Sequence, residues 1–298
     1  MTQTTNTPLL TIAELERLQR QTLQFQARHR RPVASRFAGP VLSLFRGRGM
    51  ELEDLRAYQA GDDVRHMEWR ATARSGRPIT KVFREERQRL VYLVIDRGPT
   101  MAFGTRREIK AATAARAAAL LAFSAVARQE RVAGLVLNGD GEQSFPAMRS
   151  LDGVLRLLRA VIAPMAMTPT AGFTLTSLQR LDRAAERGSS IYIISDFHHF
   201  AEREQTVLRH LAERCEISAI QVIDPAEEQL SSVGRMRFRS PGGQLYVVDT
   251  DDARLRERYA AAMAERSAAL QQHLHGAGVA LVRIHTHDDV LSRLDSVL

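Results

Sequence analysis

Two acids stand where an α/β chain commonly does its chemistry. Asp96 ends the apolar run Leu90-Val91-Tyr92-Leu93-Val94-Ile95, and Asp196 follows Ile191-Tyr192-Ile193-Ile194-Ser195. Uninterrupted apolar runs of this length read as strands buried on both faces. In open α/β sheets, ligands bind at the carboxyl ends of such strands. A carboxylate there can ligate a hard cation or accept amide hydrogen bonds at a helix start. Other groupings carry less. Asp196 with His198-His199 resembles a transition-metal set, but adjacent histidines cannot readily both turn to one ion. Asp288 and Asp289, after His285-Thr286-His287, read as helix caps. Cys215 is the sole cysteine, so no intrachain disulfide forms and a reducing compartment fits. It lies at a helix end without an activating motif. Ser-His-Asp spacing, a Gly-rich phosphate loop and a helical metal-binding His pair are all missing from the sequence.

The elements that must position these acids alternate. After the strand at 90–95, Gly98-Pro99 turns the chain and an Ala-rich helix is predicted over 107–128. Strands follow at 132–137, 190–195, 217–223 and 279–284, with helices at 151–163, 176–187, 202–214, 254–274 and 288–294. Such alternation implies an α/β fold with a doubly wound, mostly parallel sheet. A hairpin insertion is expected near 233–248. Ahead of this body, Thr11-Ile12-Ala13-Glu14 has the form of a capping box opening a helix. Apolar residues at 52, 55 and 58 predict a short helix over 51–58. A second helix is expected after Gly61, with Asp62 or Asp63 capping it and Val64, Met67 and Ala71 on one face. Residues 79–83 alternate as a half-buried strand does. The expected division is thus 1–89, an N-terminal helical and β extension, and 90–298, the α/β domain.

Charge is unevenly spread. Residues 1–89 hold 17 Arg/Lys against 10 Asp/Glu, while residues 90–298 hold 25 against 24. A basic front on a near-neutral body suggests an acidic partner surface. A nucleic-acid role is disfavoured, because no Lys/Arg–aromatic clustering accompanies the charge. The most apolar helix carries Arg116 and falls short of a membrane span, so a cytoplasmic protein is expected.

Residues 49–104 carry a dense, ordered set: an acidic stretch, Arg56-x-Tyr58, then Gly61, Asp62, Asp63, Arg65, Trp69, Ala73 and Arg74. This spacing resembles the hallmark of the bacterial family catalogued as domain of unknown function 58, and the likeness extends more loosely over the remaining chain. The resemblance implies a von Willebrand factor A-like, Rossmann-type domain. It also implies partners, since genes of that family usually lie beside MoxR-type AAA+ ATPases and other von Willebrand A proteins. Many members have two membrane helices ahead of the hallmark; this sequence lacks them.

The resemblance further implies a metal site. In von Willebrand A domains magnesium sits at the sheet's carboxyl edge, held by an Asp-x-Ser-x-Ser loop, a Thr from a second loop and an Asp from a third. Carried onto this sequence, these become Asp96 and Thr100, with Gly98 in place of a serine, then Thr174 and Asp196. A hard cation needs oxygen ligands in octahedral array, so this degenerate site is expected to hold magnesium weakly or not at all, with Arg97 adding positive charge beside it. The function expected is a non-enzymatic interaction module, an adaptor for a MoxR-type ATPase. Arg65, Trp69, Arg70 and Arg74 are the candidate partner-binding residues, with residues 50–89 docked on the body, Trp69 buried and Arg65 paired to Asp62. The alternatives are nucleic-acid binding through the basic front and metal-dependent phosphotransfer. For the latter, strand–Asp–loop also begins the haloacid dehalogenase-type phosphatases, but their second acid would fall at Gly98.

Overall fold

The computed structural model describes residues 7–29, 50–59, 61–85, 89–138, 141–165, 173–198, 200–240 and 244–298. They divide into two compact units, one drawn from Met1–Arg30 and Arg89–Leu298 and the other from Arg31–Gln88.

The larger unit opens with helix α1 (Ile12–His29), whose first turn is closed by Thr11 Oγ1 accepting from the Glu14 amide while Glu14 accepts from the Thr11 amide. The predicted division at 89/90 placed this helix in the extension. Instead it packs on the body, burying Leu15 and Leu18 in the core, pairing Glu14 with Arg116 at 2.9 Å and donating from Gln26 to Ser124.

The smaller unit contains strand β1 (Met50–Ala57), helix α2 (Trp69–Ser75) and strand β2 (Ile79–Glu85), with β1 and β2 antiparallel. The helix predicted over 51–58 is therefore a strand. Its register slips between Leu52 and Asp54, and such a bulge inserts one residue. A bulged strand can imitate the three-residue apolar spacing of a helical turn. The single helix expected after Gly61 is likewise divided. A 3-10 turn at Val64–His66, capped by Asp63 accepting from the Arg65 amide, ends at extended Met67, and α2 starts afresh after Glu68. Gly76, in the left-handed region at φ 66°, stops α2.

The body then alternates as expected: β3 (Leu90–Arg97), α3 (Lys110–Ala127), β4 (Arg131–Asn138), β5 (Gly141–Met148), α4 (Leu151–Ile162), α5 (Leu175–Ala184), β6 (Ser190–Ser195), α6 (Glu202–Ala212) and β7 (Glu216–Ile223). A two-stranded ribbon, β8 (Arg235–Arg239) with β9 (Leu245–Asp249), forms the insertion, and α7 (Ala253–Gly276), β10 (Ala280–His285) and α8 (Val290–Arg293) complete the chain. The six-stranded sheet runs β10-β7-β6-β3-β4-β5, parallel except for edge strand β5. This is the doubly wound order, and it reverses between β3 and β6.

Alternation along β3 sets its two faces. Val91, Leu93 and Ile95 join the core with α1, α3 and α4, while Leu90, Tyr92 and Val94 join the core with α5, α6 and α7. The many alanines of α3 let it lie close against the sheet, with most of its residues buried. It is the one described helix long and apolar enough to cross a membrane, and most of it is inside this core. On β4, Gly134 leaves room for the Leu157 side chain of α4, which a Cβ there would meet at 2.6 Å.

Candidate functional site

The reversal between β3 and β6 brings the two acids to one edge. In the parallel register Ile95 lies beside Ile194, so Asp96 and Ser195 follow side by side. Ser195 Oγ donates to Asp96 Oδ2 at 2.6 Å and accepts from the Phe197 amide at 3.0 Å. The other oxygen of Asp96 accepts from the Gly98 amide at 2.8 Å, and the Phe173 amide also donates to this carboxylate. Burial and the nearby Asp196 nevertheless push the Asp96 carboxyl above its ordinary range.

Asp196 Oδ1 accepts from the His198 amide at 2.9 Å, and Thr100 donates a side-chain hydrogen bond to the same carboxylate. Phe197, held at φ 54° and buried, turns the chain sharply right after it. A non-glycine residue in that region is uncommon and persists where surroundings over-determine it. Here the Ser195 hydroxyl, two ring contacts with Phe173 and Phe200, and burial fix it.

The ligand of Asp196 Oδ2 is a lysine ammonium. Lys110 Nζ lies 2.7 Å from that oxygen and 2.5 Å from Glu227 Oε1, with its side chain wholly inaccessible to water. Burial alone would drive the proton off, but the two carboxylates outweigh it and hold the ammonium charged. Asp196 is affected likewise: burial raises its pKa, Lys110 lowers it, and the net shift is downward. Burial pushes Glu227 up despite Lys110. Glu227 is presented by the 3-10 turn Pro225–Glu227 after β7, where its second oxygen accepts from the Asp224 amide at 3.0 Å. Asp224, fully buried, accepts from the Thr105 amide at 2.8 Å, from the Thr105 hydroxyl, from the Ala226 amide and from Thr286 Oγ1 at the end of β10. A cavity of about 400 Å³ lies alongside, between Asp196, Glu227 and α7 residues Tyr259, Met263 and Arg266.

Of the four residues carried over as metal ligands, Asp96, Thr100 and Asp196 are gathered here, and Thr174 follows Phe173, whose amide donates to Asp96. The Thr174 hydroxyl caps α5, accepting from the Ser177 amide and lying 3.0 Å from Ser177 Oγ, which in turn donates to Glu142. Arg97 points to the other face of β3, as alternation demands. Its guanidinium donates to Asn138 Oδ1 and to the carbonyls of Ala160, Ala163 and Pro164 at the carboxyl end of α4. Burial lowers its pKa to about 10, so it stays charged and caps that helix rather than serving the acids. The donor set does not suit a divalent cation. Both oxygens of Asp96 and Asp196 are engaged, position 98 supplies no hydroxyl, and a buried ammonium already sits on Asp196. Among the described residues, no group of three His, Cys, Asp or Glu is arranged to hold a metal.

Lys110, Glu227, Ser195 and Asp224 escaped sequence reasoning. One signal was available for the first: Lys81 and Lys110 are the only lysines among 42 basic residues. The other clusters resolve structurally. His199 lies outside the described residues. Asp289 caps α8, Asp288 accepts from the His285 amide and from Arg293, and Cys215 is buried with its thiol pKa raised by burial.

The partner-binding candidates lie on the smaller unit. Trp69, expected to be buried, is 64% exposed at the first turn of α2, and Val64 is exposed at 58%. Position explains it: Trp69 opens a helix of seven residues, none of them buried. Arg70 and Arg74 are exposed. Arg65 pairs with Asp63 at 3.0 Å rather than with Asp62, because Asp63 caps the turn that carries Arg65 and Arg56 takes Asp62 at 2.7 Å.

The profile of the family described as a protein of unknown function, DUF58, matches residues 54–269. Uncharacterized proteins of Mycobacterium bovis and Mycobacterium tuberculosis are each 31% identical over 255 residues, covering 85% of this chain and 80% of theirs. Among solved structures, the chain is similar to an aerotolerance-related membrane protein from Bacteroides fragilis (TM-score 0.46, 15% identity, 70% of this chain and 96% of that one). It is also similar to the SpRpn10 VWA domain (TM-score 0.39, 11% identity, 70% and 93%).

Proposed function

Because this chain belongs to the DUF58 family of proteins of unknown function, we propose from its two units that it is a non-enzymatic protein-interaction module, an adaptor acting in the cytoplasm with a MoxR-type AAA+ ATPase. The observation that carries this reading is the exposed tryptophan of the smaller unit, with arginines beside it in the chain. Trp69 is 64% exposed, Val64 is exposed too, and Arg65, Arg70 and Arg74 all face water. Tryptophan and arginine are the side chains that most often dominate protein–protein binding. The assignment as a non-enzyme rests on the sheet edge. There Asp96 and Asp196 are consumed by internal hydrogen bonds and by Lys110, which leaves neither as a free base or nucleophile. The test is affinity capture of the cognate MoxR-type ATPase on immobilised full-length protein. Wild type should retain it and Trp69→Ala should not; equal retention by both sinks the proposal.

A further inference from the structure

We propose that the Lys110 ammonium is the resident cation of the sheet edge, standing in the place where a divalent ion would otherwise bridge the carboxylates, so that this edge is assembled and closed without metal. Two features of Lys110 are unfavourable taken alone, and a third offsets them. It is fully buried, although a lone ammonium in an apolar interior is strongly disfavoured. It is the first residue of α3, where the helix dipole repels a cation, and the first turn of α3 holds no acid to offset it. And its amine reaches the carboxyl ends of two different strands at once, Asp196 after β6 and Glu227 after β7. The two carboxylates offset both costs and hold the ammonium charged, which is the role a bound cation would have between these acids.

The choice of side chain fits. The chain uses arginine for nearly all its positive charge, yet the residue here is lysine, one of two. An ammonium is a compact point charge with three donors, comparable in role to a small ion, whereas a guanidinium is a planar fork too wide for a site built around one point. Asp196 takes the hydroxyl of Thr100 and the amide of His198 in addition, and Glu227 is clamped by the Asp224 amide, so the acids are fixed by the backbone rather than by the ion. A cation covalently part of α3 cannot dissociate. The edge therefore has no metal-bound and metal-free states to switch between, and no open coordination position to offer a partner's carboxylate.

The test uses the full chain and exploits the two lysines. Reductive methylation with labelled formaldehyde should modify Lys81, whose side chain is 33% exposed, and leave Lys110 unmodified in the native protein. Calorimetric titration of wild type with magnesium or manganese should show no binding that Asp196→Asn removes. Lys110→Ala should lose about 10 °C of melting temperature by stranding two buried carboxylates. Manganese at about 100 times its dissociation constant should restore roughly 5 °C or more of this, and the restoration should vanish in Lys110→Ala with Asp196→Asn. Metal binding by wild type that depends on Asp196 overturns the proposal. So does methylation of Lys110 at the rate of Lys81, or a Lys110→Ala protein that gains nothing from manganese. If Lys110→Ala does not fold, the methylation and wild-type titration decide alone.

Discussion

The sheet edge of the larger unit and the surface of the smaller one spend their charges in opposite ways. At the edge, Asp96, Asp196, Asp224 and Glu227 are met by Ser195, Thr100, Thr105, Thr286, Lys110 and backbone amides, nearly all out of water. In the smaller unit, Asp62 and Asp63 have depressed pKa values, as Asp196 and Asp224 do at the edge, but Asp63 meets an arginine that is 88% exposed, and Arg56 on Asp62 is itself partly in solvent. Exposed pairs of that kind contribute little and weaken with salt. The chemistry is similar, and burial decides its meaning. At the edge a lost partner leaves a charge stranded; on the smaller unit it leaves a charge in water, open to another molecule.

The largest effect should therefore come from breaking the buried set. Lys110→Met removes the charge but keeps much of the volume, and leaving the partners of a buried pair uncompensated costs about 3–5 kcal/mol. Chemical denaturation should show that loss, and most of it should return in Lys110→Met with Asp196→Asn, because the second change removes one of the two stranded charges. If the double variant is no more stable than the single one, Lys110 acts through packing and the contrast between the two regions fails.

The next effect is pH-linked and belongs to Asp224. Burial raises its carboxyl, but the Thr105 hydroxyl and amide, the Ala226 amide and the Thr286 hydroxyl outweigh that and depress it below its ordinary value. A depressed carboxylate contributes stability that is complete above its unfolded pKa, near 3.9, and is lost as pH falls through the folded value. Asp224→Asn should cost about 1.5–3 kcal/mol at pH 7, the worth of hydrogen bonds to a charged group. The gap between wild type and variant, read from melting temperature against pH, should stay constant down to about pH 4 and narrow below it. A gap that widens in acid reverses the sign and removes Asp224 from the account.

How much of this was legible in the sequence follows the same division. Buried strands announce themselves, because a strand covered on both faces must be apolar throughout; 90–95 and 190–195 were found for that reason, and each acid falls where its run stops. The alternation of strand and helix then gave the doubly wound sheet. What failed were features set by tertiary contact or by short-range irregularity. Lys110 lies far from Asp196 and Glu227 in the chain, and no periodic pattern links them. Adjacency to Asp96 puts Arg97 beside the acids in sequence, yet adjacent strand residues face opposite sides. Thr174 was matched by loop pattern, whereas its hydroxyl serves the helix that follows it. In the smaller unit the bulge at Leu52/Asp54 disguises a strand as a helix, and the apolar character of Trp69 does not reveal that it stands exposed at the first turn of a short helix.

A smaller effect on stability is expected at Trp69. A buried tryptophan truncated to alanine costs about 3–5 kcal/mol, but this one is 64% exposed, so Trp69→Ala should lower the melting temperature by only about 2–3 °C. Its effect should appear in capture of the ATPase instead. A fall of about 10 °C or more would mean that the side chain is covered in solution, and the smaller unit would then resemble the sheet edge rather than contrast with it.

The smallest stability change should come from reversing both exposed arginines of α2. Arg70 and Arg74 are four residues apart and so lie along one face of the helix. Arg74 Nε donates to the Arg70 carbonyl at a long 3.4 Å. Arg70→Glu with Arg74→Glu therefore removes no strong buried contact. It places an acid in the first turn, which the helix dipole favours, and another in the last, which it disfavours, so the two contributions oppose. Melting temperature should stay within about 1–2 °C of wild type. Association with an acidic partner surface should nonetheless be lost, since charge complementarity governs encounter and like charges facing each other are costly. Raising salt from about 0.05 to 0.5 M should weaken capture by wild type, because exposed charges are screened over shorter distances as ionic strength rises. Full capture by the charge-reversed protein, with its fold intact by melting, would leave Trp69 as the contact and remove the arginines from it.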